Sequence, residues 1–103
     1  MNFEIRPAAR EDILQQYRYY LVEQKAEATA ERFLSAVQQA IDQVCNHPQI
    51  GSRKLLSHST LSNLRTWPVE GYPATRLYYL FDGKTVGILR VLHSKRDIDL
   101  LFE

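Results

Sequence analysis

His93 and a group of arginines are the side chains of this sequence best suited to do chemistry. Imidazole titrates closest to neutral pH, which makes His93 a candidate general acid or base. Positive charge to stabilise an anion could come from Arg65, Arg76, Arg90 and Arg96. Spacing places no second acid–base group beside His93, so a local hydrogen bond at a strand end is the competing interpretation. Arg96 could likewise form only a surface ion pair with the adjacent Asp97.

Two predicted strands decide which way several of these side chains point, because side chains alternate between the two faces of a strand. One face is expected to pack on helices and carries Leu77, Tyr79, Phe81, Leu89 and Val91. Arg76, Tyr78 and Arg90 would then project from the opposite face. Such a surface suits nucleic acid or an acidic strip of protein, and it equally suits a solvated sheet face.

The N-terminal half predicts a short strand followed by two helices. Residues 2–6 alternate apolar and polar side chains, and Pro7 suits the first turn of a helix that continues to Glu23. Its apolar stripe has helical spacing: Ile13, Leu14, Tyr17, Tyr20 and Leu21. A second helix is predicted from about Glu27 to His47, where a proline follows. Its stripe is Ala30, Phe33, Leu34, Val37, Ile41, Val44 and Cys45. The short link predicts an αα-hairpin.

The second half predicts the sheet that covers both stripes. After a polar loop over residues 49–62, strands are predicted at Leu64–Trp67, Arg76–Phe81 and Thr85–His93. Pro68, Gly71 and Pro73 are expected to break the chain between the first two. Asp82-Gly83 predicts a tight turn between the last two. The order β-αα-βββ predicts a single α+β domain over residues 1–103, with a helical hairpin on a mainly antiparallel sheet. Residues 94–103 could add a helical turn.

Composition excludes several functional classes. The formal net charge of +1 lacks the basic excess of proteins that bind nucleic acid directly. One cysteine, Cys45, allows no internal disulfide and is expected to be buried. His47 and His58 have no metal-ligand spacing, so neither a metal nor a cofactor is predicted. No apolar run approaches the ~20 residues of a membrane span and no signal peptide is visible, which predicts a cytoplasmic protein.

Five segments, in this order, resemble a known family. They are residues 7–13 (PAAREDI), 33–34 (FL), 47–51 (HPQIG), 65–79 (RTWPVEGYPATRLYY) and 88–98 (ILRVLHSKRDI). Together they are similar to the RelE/ParE toxins, also called plasmid stabilisation proteins, and most closely to the ParE branch. The resemblance implies a helical hairpin on a twisted, mainly antiparallel sheet. It also implies the toxin of a type II toxin–antitoxin pair. A ParD-like antitoxin would silence it by helix-in-groove and strand-addition contacts on the hairpin and a sheet edge.

The two branches of this family act differently. RelE-like toxins cleave messenger RNA on the ribosome, with clustered Lys and Arg and a Tyr or His near the C-terminus. ParE-like toxins poison DNA gyrase and are not thought to be enzymes. The tail over residues 99–103, DLLFE, offers no Tyr, His or basic residue. We therefore predict a ParE-like gyrase inhibitor. The alternatives are a ribosome-dependent ribonuclease that uses His93 with Arg90 and Arg96, and a non-toxic relative that only binds its antitoxin.

Contacts with the target or the antitoxin are expected mainly in the C-terminal third of the chain. The candidates are Arg65, Trp67, Arg76, Tyr78, Arg90, His93, Lys95 and Arg96. Trp67 is the only tryptophan, and it would either pack in the core or at a sheet edge, or form an interface hot spot. Direct contact with nucleic acid is expected only through the complex with the antitoxin.

Overall fold

The computed structural model describes residues 2–53 and 63–93. The helical turn predicted for residues 94–103 lies outside these residues, together with the candidates Lys95 and Arg96. His58 lies outside them as well.

Two helices form the predicted hairpin. Helix α1 covers Pro7–Arg18 and continues as a π-helical turn over Tyr19–Glu23, and helix α2 covers Glu27–Asn46. Pro7 stands at the start of α1, where its missing N–H costs no hydrogen bond. Between the helices, Lys25 has a positive φ of 50°, which reverses the chain direction within a few residues.

The sheet has five strands in the order β1-β5-β4-β3-β2. Their bounds are Asn2–Ile5 for β1, Ser52–Arg53 for β2, Arg65–Val69 for β3, Tyr72–Phe81 for β4 and Thr85–His93 for β5. Strands β2 to β5 pair antiparallel, whereas β1 pairs parallel with β5. The predicted α+β class, N-terminal strand and antiparallel β3–β4–β5 core are confirmed. Strand β2 is an addition, and nothing in its two polar, exposed residues predicts it.

The turns between the strands follow local chemistry, with one correction. The turn at Asp82-Gly83 forms as predicted, because the Asp82 carboxylate accepts the backbone N–H groups of Lys84 and Thr85. Gly83 has a φ of 97°, which favours glycine. Pro68 and Pro73, however, lie inside β3 and β4 and do not break them. The exposure of both prolines fits the tolerance of strands for proline at irregular or solvent-facing positions.

The main core lies between α2 and one face of the sheet. Its central residues are Phe33, Val37, Ile41 and Val44 from α2 and Leu77, Tyr79, Val86, Ile88 and Val91 from the sheet. Cys45 is buried at the end of α2, as predicted. A second, smaller cluster consists of Leu64, Tyr78 and Leu92. Both faces of the sheet therefore bury apolar side chains.

A β-bulge changes the predicted face of one residue. In the pairing of β4 with β5, Tyr78 lies opposite Arg90 but Tyr79 lies opposite Ile88, so the register skips Leu89. Ile88 consequently faces the helices, and Leu89 packs against the second cluster. The prediction that Leu89 belongs to the helix-facing set is wrong, because an inserted residue reverses the alternation on one side of the bulge.

Candidate functional site

Arg90 is bound by a carboxylate of helix α1. Its Nε and Nη2 atoms donate to Oδ2 and Oδ1 of Asp12, both at 2.8 Å, and the Asp12 carboxylate is almost fully buried. Donating hydrogen bonds to the Asp12 carboxylate raises the pKa of the Arg90 guanidinium above its usual value. The prediction that Arg90 projects away from the helices is therefore wrong. Its side chain is long enough to reach α1, and its charge is compensated there.

Helix α1 also completes the free edge of β5. The last β1 partner on that edge is Ile88, and beyond it the backbone groups of Val91 meet side chains of α1. The Val91 N–H donates to Asp12 Oδ2 at 3.0 Å, and Gln16 Nε2 donates to the Val91 carbonyl at 2.9 Å. Thr75 in turn donates its hydroxyl to Gln16 Oε1 at 3.0 Å. Sequence reasoning missed this network. A usable signal was present, because Asp12 and Gln16 are polar residues four positions apart beside the apolar stripe of the helix.

His93 lies at the exposed end of β5, next to this network. It lines a cavity of about 60 Å³ together with Asp12, Gln15 and Gln16. Within the described residues, its imidazole makes no hydrogen bond, and the carboxylate of Asp12 is already committed to Arg90 and Val91. In the described part of the chain, His93 thus has no acid–base partner. Arg90 is bound to Asp12 instead.

Arg65 and Tyr79 hold the turn that follows α2. Arg65 Nη1 donates to the carbonyls of Gly51 at 2.7 Å and Gln49 at 3.2 Å. The Tyr79 hydroxyl donates to the Pro48 carbonyl and accepts the Gly51 N–H, both at 2.9 Å. Burial raises the pKa of Tyr79 above its usual value. Arg65 also lines a polar depression of about 210 Å³, so part of its charge faces outward.

The three remaining candidates among the described residues mainly make contacts that stabilise the fold. Arg76 is half-buried and donates from Nε to Thr66 Oγ1 at 3.0 Å. Tyr78 lies on the sheet face opposite the main core, as predicted, but the second cluster buries it there, and burial raises the pKa of its phenol. Trp67 packs against the main core and donates from Nε1 to Gln43 Oε1 at 2.9 Å. Its position agrees with the packing interpretation.

A groove of about 510 Å³ lies between α2 and the turn that joins β3 to β4. We call it the α2 groove, and its lining is Thr29, Arg32, Ser35, Ala36, Gln39, Glu70, Gly71 and Tyr72. The turn between β3 and β4 forms one wall, where Gly71 has a φ of 84°. Tyr72 is fixed because its hydroxyl donates to the Thr29 carbonyl at 3.0 Å and its ring packs on Phe33. The groove therefore has a fixed wall, and its lining is partly apolar and partly charged.

Residues 2–53 and 63–93 also bear on two further classes of site, metal centres and membrane-spanning helices. No group of His, Cys, Asp or Glu in these ranges could hold a metal ion. None of the helices in them is long and apolar enough to cross a membrane.

Comparisons with known proteins agree with this architecture. The sequence model of the family described as "ParE toxin of type II toxin-antitoxin system, parDE" matches residues 3–98. A similar solved structure is titled "Chromosomal ParDE TA system from P. aeruginosa". It has 24% sequence identity and a TM-score of 0.60, and the match covers 92% of this chain and 97% of that one. At this identity the likeness concerns the fold. No protein with a curated description matches the chain.

Proposed function

This chain belongs to the ParE toxin family of type II toxin–antitoxin systems, and from that membership we propose that it inhibits DNA gyrase and is neutralised by a ParD-like antitoxin. The family match over residues 3–98 is the observation that carries the proposal. Because gyrase acts on DNA in the cytoplasm, the proposal also places the chain there.

The binding of Arg90 to Asp12 favours inhibition by protein–protein contact over RNA cleavage. Cleavage through a 2′-hydroxyl requires an acid–base group and cations that face the phosphate. Arg90 instead gives two hydrogen bonds to Asp12, and its side chain is only 19% exposed. A phosphate would have to displace a bidentate carboxylate, leaving a buried Asp12 without its main partner. The ribonuclease hypothesis would therefore need a rearrangement of α1 against β5.

We propose that the target contact uses the candidates that still present charge or polarity outward. Within the described residues these are Arg65, beside its polar depression, the half-buried Arg76, and His93 at the end of β5. Lys95 and Arg96 stay in the proposed set from the sequence. Trp67, Tyr78 and Arg90 contribute by holding the sheet that carries them.

We propose that the antitoxin binds in the α2 groove. An amphipathic helix can lay its apolar face into such a groove, while its polar residues meet the rim. Tyr72 and Ala36 supply apolar contact, and Arg32 and Glu70 offer charges of opposite sign at the rim. Strand β1 is an edge strand with an exposed Phe3, so it is the matching candidate for strand addition.

The test is a cleavage-complex assay with the purified chain, freed of antitoxin, DNA gyrase and supercoiled plasmid. Accumulation of linear plasmid is expected. His93→Ala changes an exposed side chain and should leave at least part of this accumulation in place. Added antitoxin should suppress it. Messenger RNA cleavage on ribosomes that disappears with His93→Ala would overturn the proposal in favour of the ribonuclease. Normal growth upon overexpression of folded protein, with no trapped plasmid, would point to the non-toxic relative.

A further inference from the structure

The outer side of α1 carries an exposed apolar patch that neither the core nor the α2 groove uses. Tyr19 and Val22 are 48% and 63% exposed, and they are two of the five large apolar side chains that the described residues expose. We define the α1 patch as the lining of a depression of about 470 Å³: Gln15, Arg18, Tyr19, Val22 and Glu23. A contiguous apolar surface with a polar rim is typical of a protein contact site.

The π-helical turn places both charged residues of this patch on the same side of the helix. Its backbone hydrogen bond runs from the Gln24 N–H to the Tyr19 carbonyl at 3.1 Å, five residues apart. Residues five apart therefore lie one turn apart here, whereas on an α-helix they would point in widely different directions. Arg18 and Glu23 consequently border the same depression as Tyr19 and Val22. Such π-helical turns occur frequently at functional sites.

The order of residues in the patch is self-complementary. From residue 18 to residue 23 it presents a cation, an apolar side chain, a second apolar side chain and an anion. If two copies pair antiparallel about a two-fold axis, Arg18 of each lies opposite Glu23 of the other. Tyr19 of each then lies opposite Val22 of the other. A two-fold interface requires this reciprocity, in which residue i meets residue j and j meets i.

We propose that the α1 patch binds the same patch on a second copy of this chain, forming a two-fold dimer. Mixed charge on the patch disfavours nucleic acid, which needs a basic surface. The patch shares no residue with the α2 groove, so an antitoxin in that groove leaves it open. A contact of about two helical turns is small compared with the ~1,200 Å² of a standard interface. The dimer is therefore weak, with a dissociation constant in the micromolar range or above, and its charges set the register.

Sedimentation velocity of the antitoxin-free chain over a concentration series tests the proposal. The wild type should show a monomer–dimer equilibrium. Arg18→Glu and Glu23→Arg should each raise the dissociation constant about tenfold, because each reversal turns two attractive contacts of the dimer into repulsive ones. An equimolar mixture of the two variants should associate again, since every 18–23 contact between unlike variants has opposite charges. The exposed Arg32→Glu on α2 makes the same charge change outside the patch and should have no effect.

Several results would overturn the dimer, provided that circular dichroism shows folded variants. One is a wild type that stays monomeric up to millimolar concentration. Another is an association that neither reversal changes, or that Arg32→Glu weakens equally. Failure of the mixture to recover would contradict the two-fold register. A monomeric wild type whose antitoxin binding is lost with Arg18→Glu would assign the patch to the antitoxin instead. These readouts are independent of gyrase inhibition.

Discussion

Asp12 decides the role of Arg90, and with it the chemistry open to this surface. A lone arginine on β5 would be a plausible phosphate ligand, but a buried carboxylate beside it makes the pair a structural unit. Asp12 also accepts the Val91 N–H, so one side chain serves an ion pair and a strand edge at once. Removing either partner leaves the other buried with unmet hydrogen bonds, which costs more than the pair contributes.

We predict that Arg90→Ala lowers the free energy of unfolding by about 2–4 kcal/mol, because the Asp12 carboxylate keeps only its contact with Val91. Urea unfolding followed by circular dichroism measures this loss. The matched control is Arg18→Ala, whose guanidinium lies 4.0 Å from Glu11 with both side chains exposed. That change should stay within about 0.5 kcal/mol of the wild type. Equal stability of the two variants would contradict the structural role of Arg90.

At the scale of elements, side chains complete what the backbone leaves open. Helix α1 supplies Asp12 and Gln16 to the edge of β5 that β1 no longer covers. Tyr79 of β4 reaches the turn after α2 and bonds both Pro48 and Gly51 there. These contacts fix where the helices sit on the sheet, and so position the α2 groove and the α1 patch relative to the strands.

Gly51 leaves no room for a side chain at that turn. An added Cβ would lie 2.6 Å from the Tyr79 hydroxyl and 2.8 Å from the Thr66 carbonyl oxygen. We predict that Gly51→Ala lowers the free energy of unfolding by about 1–3 kcal/mol, because both contacts must open. Gly87→Ala is the control, since nothing lies within 4 Å of its Cβ position. Thermal and urea unfolding should show Gly87→Ala as stable as the wild type or slightly more so. A harmless Gly51→Ala would refute the tight packing of this turn.

At the scale of the whole molecule, the helical hairpin offers two separate surfaces. The α2 groove opens between α2 and the β3–β4 turn, and the α1 patch faces outward from the other helix. A small net charge of +1 fits protein partners on both surfaces better than long nucleic acid. On the two proposals above, a chain of this size would bind an antitoxin and a second copy through different residues.

We predict that the antitoxin raises the melting temperature of the chain through the α2 groove. At a free concentration about a hundredfold above its dissociation constant, the gain is about 2.7 kcal/mol, or about 12 °C for a chain of this size. Ser35→Arg should abolish this gain, since an arginine from the exposed Ser35 would fill the groove. Gln38→Arg is the matched control, being exposed on the same helix but outside the lining. Differential scanning fluorimetry with the ParD-like antitoxin measures both. If the Ser35→Arg variant shows the full gain in melting temperature, this groove is excluded as the antitoxin site.

Local patterns in the sequence were sufficient for the elements and the family. Apolar residues at helical spacing located both helices, and Asp82-Gly83 located a tight turn, because each depends on residues a few positions apart. The ordered motifs from residue 7 to residue 98 identified the family for the same reason, since they are local features in a shared order.

The tertiary structure decided the sites. Asp12 and Arg90 are 78 positions apart, and Gly51 and Tyr79 are 28 apart, so no local pattern could join them. A bulge of one residue moved Leu89 to the second face, and Arg18 and Glu23, at the start and end of a π-helical turn, border one depression. Periodicity assumes a regular element, and one inserted residue shifts every side chain that follows. For that reason the sequence predicted which elements form, while the packed chain determined which side chains meet.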